Sequence, residues 1–207
     1  MNGKCYIFGS FPCNSEFCHV IGDKDIVMSA DGGYKLACSL GVKSNIVLGD
    51  FDTLNEEIVD SEVRKYPPEK DDTDLMIAIK TGISMGYSYF VIYGALGGRI
   101  DHTIAAIQSL EYLSERNMNG VLVSDNETIN IQMPGQREYK KEKFKYISVF
   151  SLAEASVVSY EGLKYPLDNY TITQSFPIGI SNEFISETCR IDLKNGKLLV
   201  IRTKSDK

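Results

Sequence analysis

Short apolar segments alternate with amphipathic ones through the first two-thirds of the chain. The apolar segments are brief and rich in β-branched and aromatic residues, which is typical of buried strands. They span residues 5–9, 26–30, 45–49, 89–94 and 121–126.

Helical periodicity appears between these predicted strands. In residues 71–86, Leu75, Ile79 and Ile83 recur every four positions, which predicts one apolar helix face. Further helices are predicted at 33–40, 55–65 and 101–116. Because strands alternate with helices, the pattern favours an α/β fold with a mostly parallel sheet and flanking helices.

The pattern changes after Met133, where short β-rich segments follow one another. These segments span 146–152, 155–163, 170–176, 184–193 and 197–203. Turn-forming sequences separate them, which predicts an antiparallel sandwich or barrel. We therefore expect one domain over 1–133 and a second over 137–207. The basic stretch 137–145 at their junction is expected to be a solvated linker and edge strand.

Composition narrows the class of function. The 207 residues include 43% hydrophobic and 24% charged residues, which is ordinary for a globular protein. Residues 1–136 contain 10 basic and 19 acidic residues, whereas residues 137–207 contain 12 and 9. The net charge of −6 argues against a nucleic-acid partner. The acidic first part suits a site for divalent cations.

The cellular location of the protein is predicted from its apolar segments and its cysteines. No apolar run approaches the ~20 residues that span a bilayer, and the first residues lack the features of a signal peptide. The five cysteines are odd in number and form no CxxC pair, which indicates reduced thiols. We therefore expect a cytoplasmic protein with no membrane partner.

Aspartates follow several of the predicted strands. Asp31 follows the second strand, Asp50 and Asp52 follow the third, and Asp101 follows the fourth after a glycine-rich loop. The carboxyl ends of parallel strands share one edge of a sheet, where ligands bind. A further acidic group, Asp71, Asp72 and Asp74, opens a predicted helix.

Each acidic group also has a plain structural interpretation. Asp31 before two glycines is typical of a turn or a helix N-cap. Asp50 and Asp52 fit a solvated loop, and the acids of 71–74 fit an ordinary helix start, because the helix dipole favours them there. The glycines of 94–98 are typical turn residues.

Taken together, the groups indicate phosphoryl-type transfer. Arg99 lies in the glycine-rich loop, where it can make bidentate contacts to phosphate oxygens. Carboxylate oxygens suit Mg²⁺, which shares its coordination sphere with substrate phosphates. The chain has no GxxxxGK[ST] loop, no protein-kinase motif set and no GxSxG motif. The common nucleotide-binding machineries that depend on a P-loop or on the protein-kinase motifs are therefore excluded.

With these motifs in order, the sequence resembles the thiamine pyrophosphokinase family over nearly its whole length. The motifs are ADGG (30–33), LGDFDT (48–53), KDDTDLMIAI (70–79), GALGGRIDHT (94–103), KYPLDN (164–169) and SNE (181–183). The resemblance implies transfer of a pyrophosphoryl group from ATP to the hydroxyl of thiamine, with Mg²⁺ as cofactor. Thiamine diphosphate and AMP are the implied products.

The same resemblance implies an architecture and a mechanism. It implies an α/β catalytic domain that binds ATP and Mg²⁺, a C-terminal antiparallel β-sandwich that binds thiamine, and a homodimer with active sites between subunits. The expected mechanism is in-line attack of the thiamine hydroxyl on the β-phosphorus of Mg-ATP, with positioning and electrostatics as the main contributions.

The resemblance implies catalytic or metal-binding roles for five residues. Asp50 and Asp52 match the family's Mg²⁺-binding pair, and Asp74 and Asp101 match acidic positions near the metal and the reacting phosphates. Arg99 matches the phosphate-binding loop and is expected to stabilise the transition state. Asp74 or Asp101 is expected to assist removal of the proton from the attacking thiamine hydroxyl.

The implied nucleotide site borders Asp31, Gly32, Asp71, Thr73, Gly98 and Arg99. His102 follows Asp101 and is expected to be a structural or hydrogen-bonding group rather than a base.

The implied thiamine site includes Tyr165, Ser181 and Asn182. Many relatives carry tryptophan where this chain has Tyr165, and the chain contains no tryptophan at all. Tyrosine still offers an aromatic face to the cationic thiazolium. The alternative is that Tyr165 belongs to the sandwich core.

Two other functions remain open. One is a related Mg²⁺-dependent pyrophospho- or phosphotransferase that acts on another alcohol. The other is a non-catalytic thiamine- or nucleotide-binding protein of the same fold. The acidic motifs disfavour the second, because a protein that only binds thiamine does not need four carboxylate clusters.

Overall fold

The computed structural model describes residues 3–13, 19–51, 58–67, 69 and 71–205. The chain forms two compact units, Met1–Asp125 and Asn126–Lys207. The longest described helix has 15 residues. No described helix combines the length and the hydropathy that a membrane crossing requires.

The first unit contains a parallel sheet. Its strands are β1 (Cys5–Phe8), β2 (Ile26–Ala30), β3 (Ile46–Gly49), β4 (Glu62–Lys65), β5 (Tyr89–Tyr93) and β6 (Asn119–Val123). They lie in the order β6-β5-β1-β2-β3-β4, and every neighbouring pair is parallel. Strand β1 is buried along its whole length, as expected for a strand covered on both faces.

Helices cover both faces of this sheet. The described helices are α1 (Gly33–Ser39), α2 (Asp74–Ser84) and α3 (Ile100–Ser114). Leu36 and Ala37 of α1 join the apolar cluster that contains Tyr6 and Phe8. On the other face, Gly82 of α2 lies against Cys5 and Phe90, and α3 lies against Gly120. The predicted α/β arrangement is confirmed.

One predicted helix is wrong in its second half. The sequence predicts a helix over 55–65, but Glu62–Lys65 forms β4, which pairs with β3 at the edge of the sheet. Val59 and Val63 stand four positions apart, which imitates a helical face. Pairing with the free edge of β3 satisfies the backbone of β4 instead. Residues 55–57 lie outside the described residues.

The second unit is an antiparallel sandwich, as predicted. Its strands are β7 (Glu127–Gln132), β8 (Gly135–Lys140), β9 (Tyr146–Ser151), β10 (Ala155–Glu161), β11 (Leu167–Thr173), β12 (Asn182–Glu183), β13 (Thr188–Asn195) and β14 (Leu198–Thr203). One layer has the order β12-β9-β14-β7 and the other the order β11-β10-β13-β8. Val149 and Val200 of the first layer share a buried cluster with Val158 and Ile191 of the second.

The basic stretch 137–145 follows the prediction as an edge strand but not as a linker, because the boundary between the two units lies between Asp125 and Asn126. The basic stretch 137–145 contains most of β8, which is an edge strand of its layer. Strands β7 and β12 were not predicted. Strand β12 has only two residues, too few for any periodicity to appear in the sequence.

Candidate active site

A cavity of about 540 Å³ lies at the carboxyl ends of the parallel strands. The central pair β1 and β5 flanks it, where the order of strands along the sheet reverses direction. Ligands of open α/β sheets bind at such a point. The lining residues come from the ends of β1, β2 and β5, from the first turn of α2 and from the first two turns of α3. They are Gly9, Ser10, Phe11, Pro12, Ala30, Asp31, Thr73, Asp74, Leu75, Gly94, Ala95, Gly97, Arg99, His102, Ala105 and Ala106.

Asp31 lines this cavity directly after β2. Its backbone adopts a positive φ of 45°, and its N–H donates to the carbonyl of Leu48 at 2.7 Å. Aspartate tolerates this conformation better than most residues. The N-cap of α1 is Gly32, so Asp31 is the turn residue and not the cap. Gly32 itself is not among the lining residues.

The acidic start of α2 contributes Thr73 and Asp74. Thr73 is the N-cap, and its hydroxyl accepts a hydrogen bond from the N–H of Met76 at 3.2 Å. The helix start therefore has the ordinary capping role and also supplies Asp74 to the cavity. Asp72 instead pairs with Lys80 at 2.6 Å, and Asp71 is exposed and does not line the cavity.

Arg99 and Asp101 form a two-point ion pair at the start of α3. Nε of Arg99 lies 3.1 Å from Oδ1 of Asp101, and Nη2 lies 2.5 Å from Oδ2. The N–H of His102 also donates to Oδ1 of Asp101 at 2.9 Å. These interactions, with the Arg99 hydrogen bond as the largest, hold the pKa of Asp101 below its ordinary value. Arg99 lines the cavity, whereas Asp101 does not.

The glycine-rich loop before Arg99 needs its glycines. Gly94, Gly97 and Gly98 have positive φ values of 66°, 99° and 65°. Residues other than glycine rarely adopt these backbone conformations. Gly97 lines the cavity and Gly98 does not. The backbone turn thus brings Arg99 to the cavity.

The predicted pair after β3 is only partly described. Asp50 is half-buried at the end of β3 and is not a lining residue of the cavity. A Cβ added to Gly49 would lie 3.1 Å from the Cα of Asp31, so the ends of β2 and β3 are close. Asp52 lies outside the described residues.

The donor set around the cavity fits Mg²⁺ in its chemistry. Asp31 and Asp74 supply carboxylate oxygens to one cavity. Among the described residues, no group of three or more His, Cys, Asp or Glu side chains is placed to hold a metal. Mg²⁺ commonly uses only one or two carboxylates, with water and substrate phosphates completing its shell. Two carboxylates are therefore sufficient.

In the second unit, Asn182 holds the backbone of Tyr165. Its Oδ1 accepts from the N–H of Tyr165 at 3.0 Å, and its Nδ2 donates to the carbonyl of Tyr165 at 2.8 Å. Asn182 is buried, while Tyr165 is 60% exposed. Tyr165 is therefore not a core residue. Neighbouring Ser181 is exposed and has a positive φ of 55°.

The sequence patterns did not reveal the loop after β1. Ser10, Phe11 and Pro12 line the cavity because β1 occupies the centre of the sheet. Strand order is not visible in the sequence. The available signal was that this loop follows a short, wholly apolar strand, as the other site loops do.

Comparison with known families covers both units. Residues 17–122 match the family described as "Thiamin pyrophosphokinase, catalytic domain". Residues 135–198 match "Thiamin pyrophosphokinase, vitamin B1 binding domain".

Individual proteins agree with these matches. A thiamine pyrophosphokinase of Bacillus subtilis (strain 168) is 30% identical over 184 residues, which is 85% of this chain and 86% of its own. Thiamin pyrophosphokinase 1 of Caenorhabditis elegans is 27% identical over 75% of this chain and 68% of its own. The crystal structure of thiamine pyrophosphokinase from Bacillus subtilis superposes with a TM-score of 0.90 at 26% identity, covering 98% of this chain and all of that one.

Proposed function

The chain belongs to the thiamine pyrophosphokinase family, and from this membership we propose that it transfers a pyrophosphoryl group from ATP to the hydroxyl of thiamine. The products are thiamine diphosphate and AMP. The observation that carries the proposal is the cavity at the switch point, where Asp31, Thr73, Asp74 and Arg99 meet from three separate segments. A guanidinium that can bind phosphate oxygens and carboxylates that can hold a divalent cation are groups that phosphoryl transfer uses.

Arg99 is proposed to bind the phosphate oxygens and to stabilise the charge that develops during transfer. Its guanidinium makes a two-point contact with Asp101 between two exposed side chains, which favours one orientation of the guanidinium. Donors that need less reorganisation stabilise a transition state more effectively. Asp101 is therefore proposed as a positioning residue.

Asp74 is proposed to accept the proton of the attacking hydroxyl. Asp101 is less suited to this role, because the Arg99 pair holds its pKa below the ordinary value and weakens it as a base. Asp74 lines the cavity and is half-buried. It thus stands where a hydroxyl can reach it.

Mg²⁺ is proposed as the cofactor. Asp31, Asp50, Asp52 and Asp74 are the proposed donors, of which Asp31 and Asp74 line the cavity. Asp101 is the weaker candidate, since both of its oxygens are engaged. When bound, Mg²⁺ would neutralise charge on the phosphates. Activity should vanish in EDTA and return when Mg²⁺ is added in excess.

Domain roles follow the two family matches. We propose that residues 1–133 bind ATP and Mg²⁺ and that residues 137–207 bind thiamine through Tyr165, Ser181 and Asn182. The exposed ring of Tyr165 supports this role, because an aromatic face attracts a cationic ring. Asn182 supports it by fixing the backbone of Tyr165.

A homodimer with active sites between subunits is also proposed. Exposed apolar side chains occur throughout the 165–185 segment, which is typical of a surface that a partner covers. They are Tyr165, Tyr170, Phe176, Ile178, Ile180 and Ile185. Light scattering should give twice the chain mass of 23.1 kDa. A mass of one chain would contradict the dimer.

A cytoplasmic location is proposed from the cysteines. Cys5, Cys38 and Cys189 carry free thiols, which suits a reducing compartment.

The proposed reaction is tested by its products. The protein is incubated with Mg-ATP and thiamine, and the nucleotides and thiamine phosphates are separated by chromatography. We expect AMP and thiamine diphosphate in equal amounts. ADP with thiamine monophosphate, or turnover only with another alcohol, would favour the related transferase. Thiamine binding without any turnover would favour a non-catalytic protein.

A further inference from the structure

Phe11 is an aromatic residue of the cavity that takes no part in the proposed transfer step. It lies in the loop after β1, lines the cavity and is 38% exposed. A large apolar side chain that is exposed inside a cavity gains free energy when a ligand covers it. Its place at the switch point makes it available to the nucleotide.

The ring of Phe11 is held in place by the two loops of the switch point. The N–H of Phe11 donates to the carbonyl of Gly94 at 3.0 Å, and the N–H of Gly9 donates to the carbonyl of Tyr93 at 2.8 Å. A Cβ added to Gly97 or Gly98 would overlap the ring. The ring therefore rests against glycine backbone and forms a fixed platform.

The lining of the cavity has the two chemical characters that a nucleotide needs. Pro12, Leu75 and Ala106 are apolar, whereas Asp74 and Arg99 are charged. A nucleoside triphosphate joins a flat base with apolar faces to charged phosphates. Among the lining residues, Phe11 is the one aromatic carbocycle on which such a base can stack.

We propose that Phe11 is the platform on which the adenine ring of ATP stacks, and that it sets nucleotide affinity in this chain. This inference rests on the proposed function, because it takes ATP as the substrate. Stacking depends on the aromatic face and not on the phosphates. Phe11 therefore contributes to the binding of AMP and contributes nothing to the binding of inorganic tripolyphosphate.

Substitution at Phe11 separates these two contributions. Base–aromatic stacking predicts that Phe11→Leu weakens AMP binding about tenfold, measured by calorimetry. Tripolyphosphate binding should not change, and Phe11→Tyr should restore AMP binding. Tyr89→Leu is the matched control, since Tyr89 is 37% exposed in the same unit and is not a lining residue. It should leave AMP binding unchanged.

A fluorescent variant gives a second test. The chain contains no tryptophan, so Phe11→Trp introduces a single indole at the platform. AMP should quench its fluorescence by stacking, and tripolyphosphate should not. The corresponding Tyr89→Trp variant should show no quenching with either ligand.

Three results would overturn the inference. Equal losses of AMP and tripolyphosphate binding in Phe11→Leu would show that Phe11 only supports the glycine loop. Unchanged AMP binding in Phe11→Leu would show that Phe11 does not contact the adenine ring. Quenching of Phe11→Trp by thiamine and not by AMP would assign the platform to the other substrate. All of these are binding measurements, so failure of the proposed transfer reaction is detected separately, by the absence of products from the unsubstituted protein.

Discussion

The two units of this chain place their polar side chains in different ways. In the parallel unit, the buried polar side chains are small hydroxyls such as Ser29 and Ser44, and the charged groups of the site follow the strand ends, as Asp31 and Arg99 do. In the sandwich unit, amide side chains are buried as well, and Tyr139 hydrogen-bonds with both Asn130 and Gln132. Its candidate site, Tyr165, is held by Asn182 across 17 positions of sequence.

This difference follows from strand direction. Parallel strands all end at one edge, so the fold itself brings the loops after them together. Antiparallel strands end alternately at opposite edges, so each edge collects only every second loop. In the sandwich, particular hydrogen bonds hold the candidate residues, as those of Asn182 to Tyr165 do. Substitution of a loop residue in the parallel unit should lower kcat. Substitution in the sandwich should instead weaken thiamine binding or lower the free energy of unfolding.

The largest expected effect is on Arg99. Arg99→Lys keeps the charge but loses the planar two-point geometry, and we expect kcat to fall about 100-fold. Arg116→Lys is the control, because Arg116 lies beyond the other end of α3 and stacks on Tyr112. It should leave kcat unchanged. Equal loss in both variants would mean that the helix is sensitive to any arginine replacement.

A smaller effect is expected at Tyr165, on binding alone. Loss of a cation–π contact in Tyr165→Leu should weaken thiamine binding about fivefold. The sandwich should stay folded, as circular dichroism would show, since the side chain is 60% exposed within its own chain. Tyr165→Phe should bind thiamine as the unsubstituted protein does. If Tyr165→Leu bound thiamine normally, the sandwich would need another aromatic contact.

Two buried tyrosines of the sandwich form a matched pair for stability. Tyr139→Phe breaks its hydrogen bonds with Asn130 and Gln132 and should lower the free energy of unfolding by about 1–3 kcal/mol. The hydroxyl of Tyr160 is buried without a hydrogen-bond partner among the described residues. Tyr160→Phe should therefore raise the free energy of unfolding by about 1 kcal/mol.

Urea denaturation of both variants measures this difference. Destabilisation of similar size in both would mean that Tyr160 has a partner after all, and the contrast between the two hydroxyls would disappear.

The smallest effect concerns the cysteines. Burial raises the pKa of the Cys5 and Cys189 thiols to about 12, so both are protonated and unreactive at pH 8. Cys38 is exposed. Brief alkylation followed by peptide mass spectrometry should label Cys38 in the native protein, and the other two only in denaturant. Native labelling of Cys189 would indicate that the sandwich opens readily.

Sequence patterns predicted most of the parallel unit because its determinants are local. Strand β2 has the predicted bounds, and Thr73 caps α2 within the predicted helix start. Strand β4 was missed since an exposed edge strand lacks a buried face and thus a clear alternation. The position of Phe11 beside the glycine loop depends on strand order, which no local pattern encodes.

The sandwich was predicted in class but not in detail. Its short strands and turns indicated an antiparallel fold, yet nothing in the sequence joins Asn182 to Tyr165. The resemblance to a family pointed to both residues. The structure adds that Asn182 is committed to the backbone of Tyr165, which favours a positioning role over direct contact alone.

The central claim is that transfer chemistry belongs to the parallel unit and thiamine recognition to the sandwich. Asp74 and Asp72 test it most directly, because one lines the cavity and the other, two positions away, pairs with Lys80. The measurement is kcat together with the Kd for thiamine in Asp74→Asn and in Asp72→Asn. We predict that Asp74→Asn lowers kcat about 100-fold with thiamine Kd unchanged, and that Asp72→Asn changes neither. Normal turnover in Asp74→Asn, or a parallel loss of thiamine binding, would contradict the account.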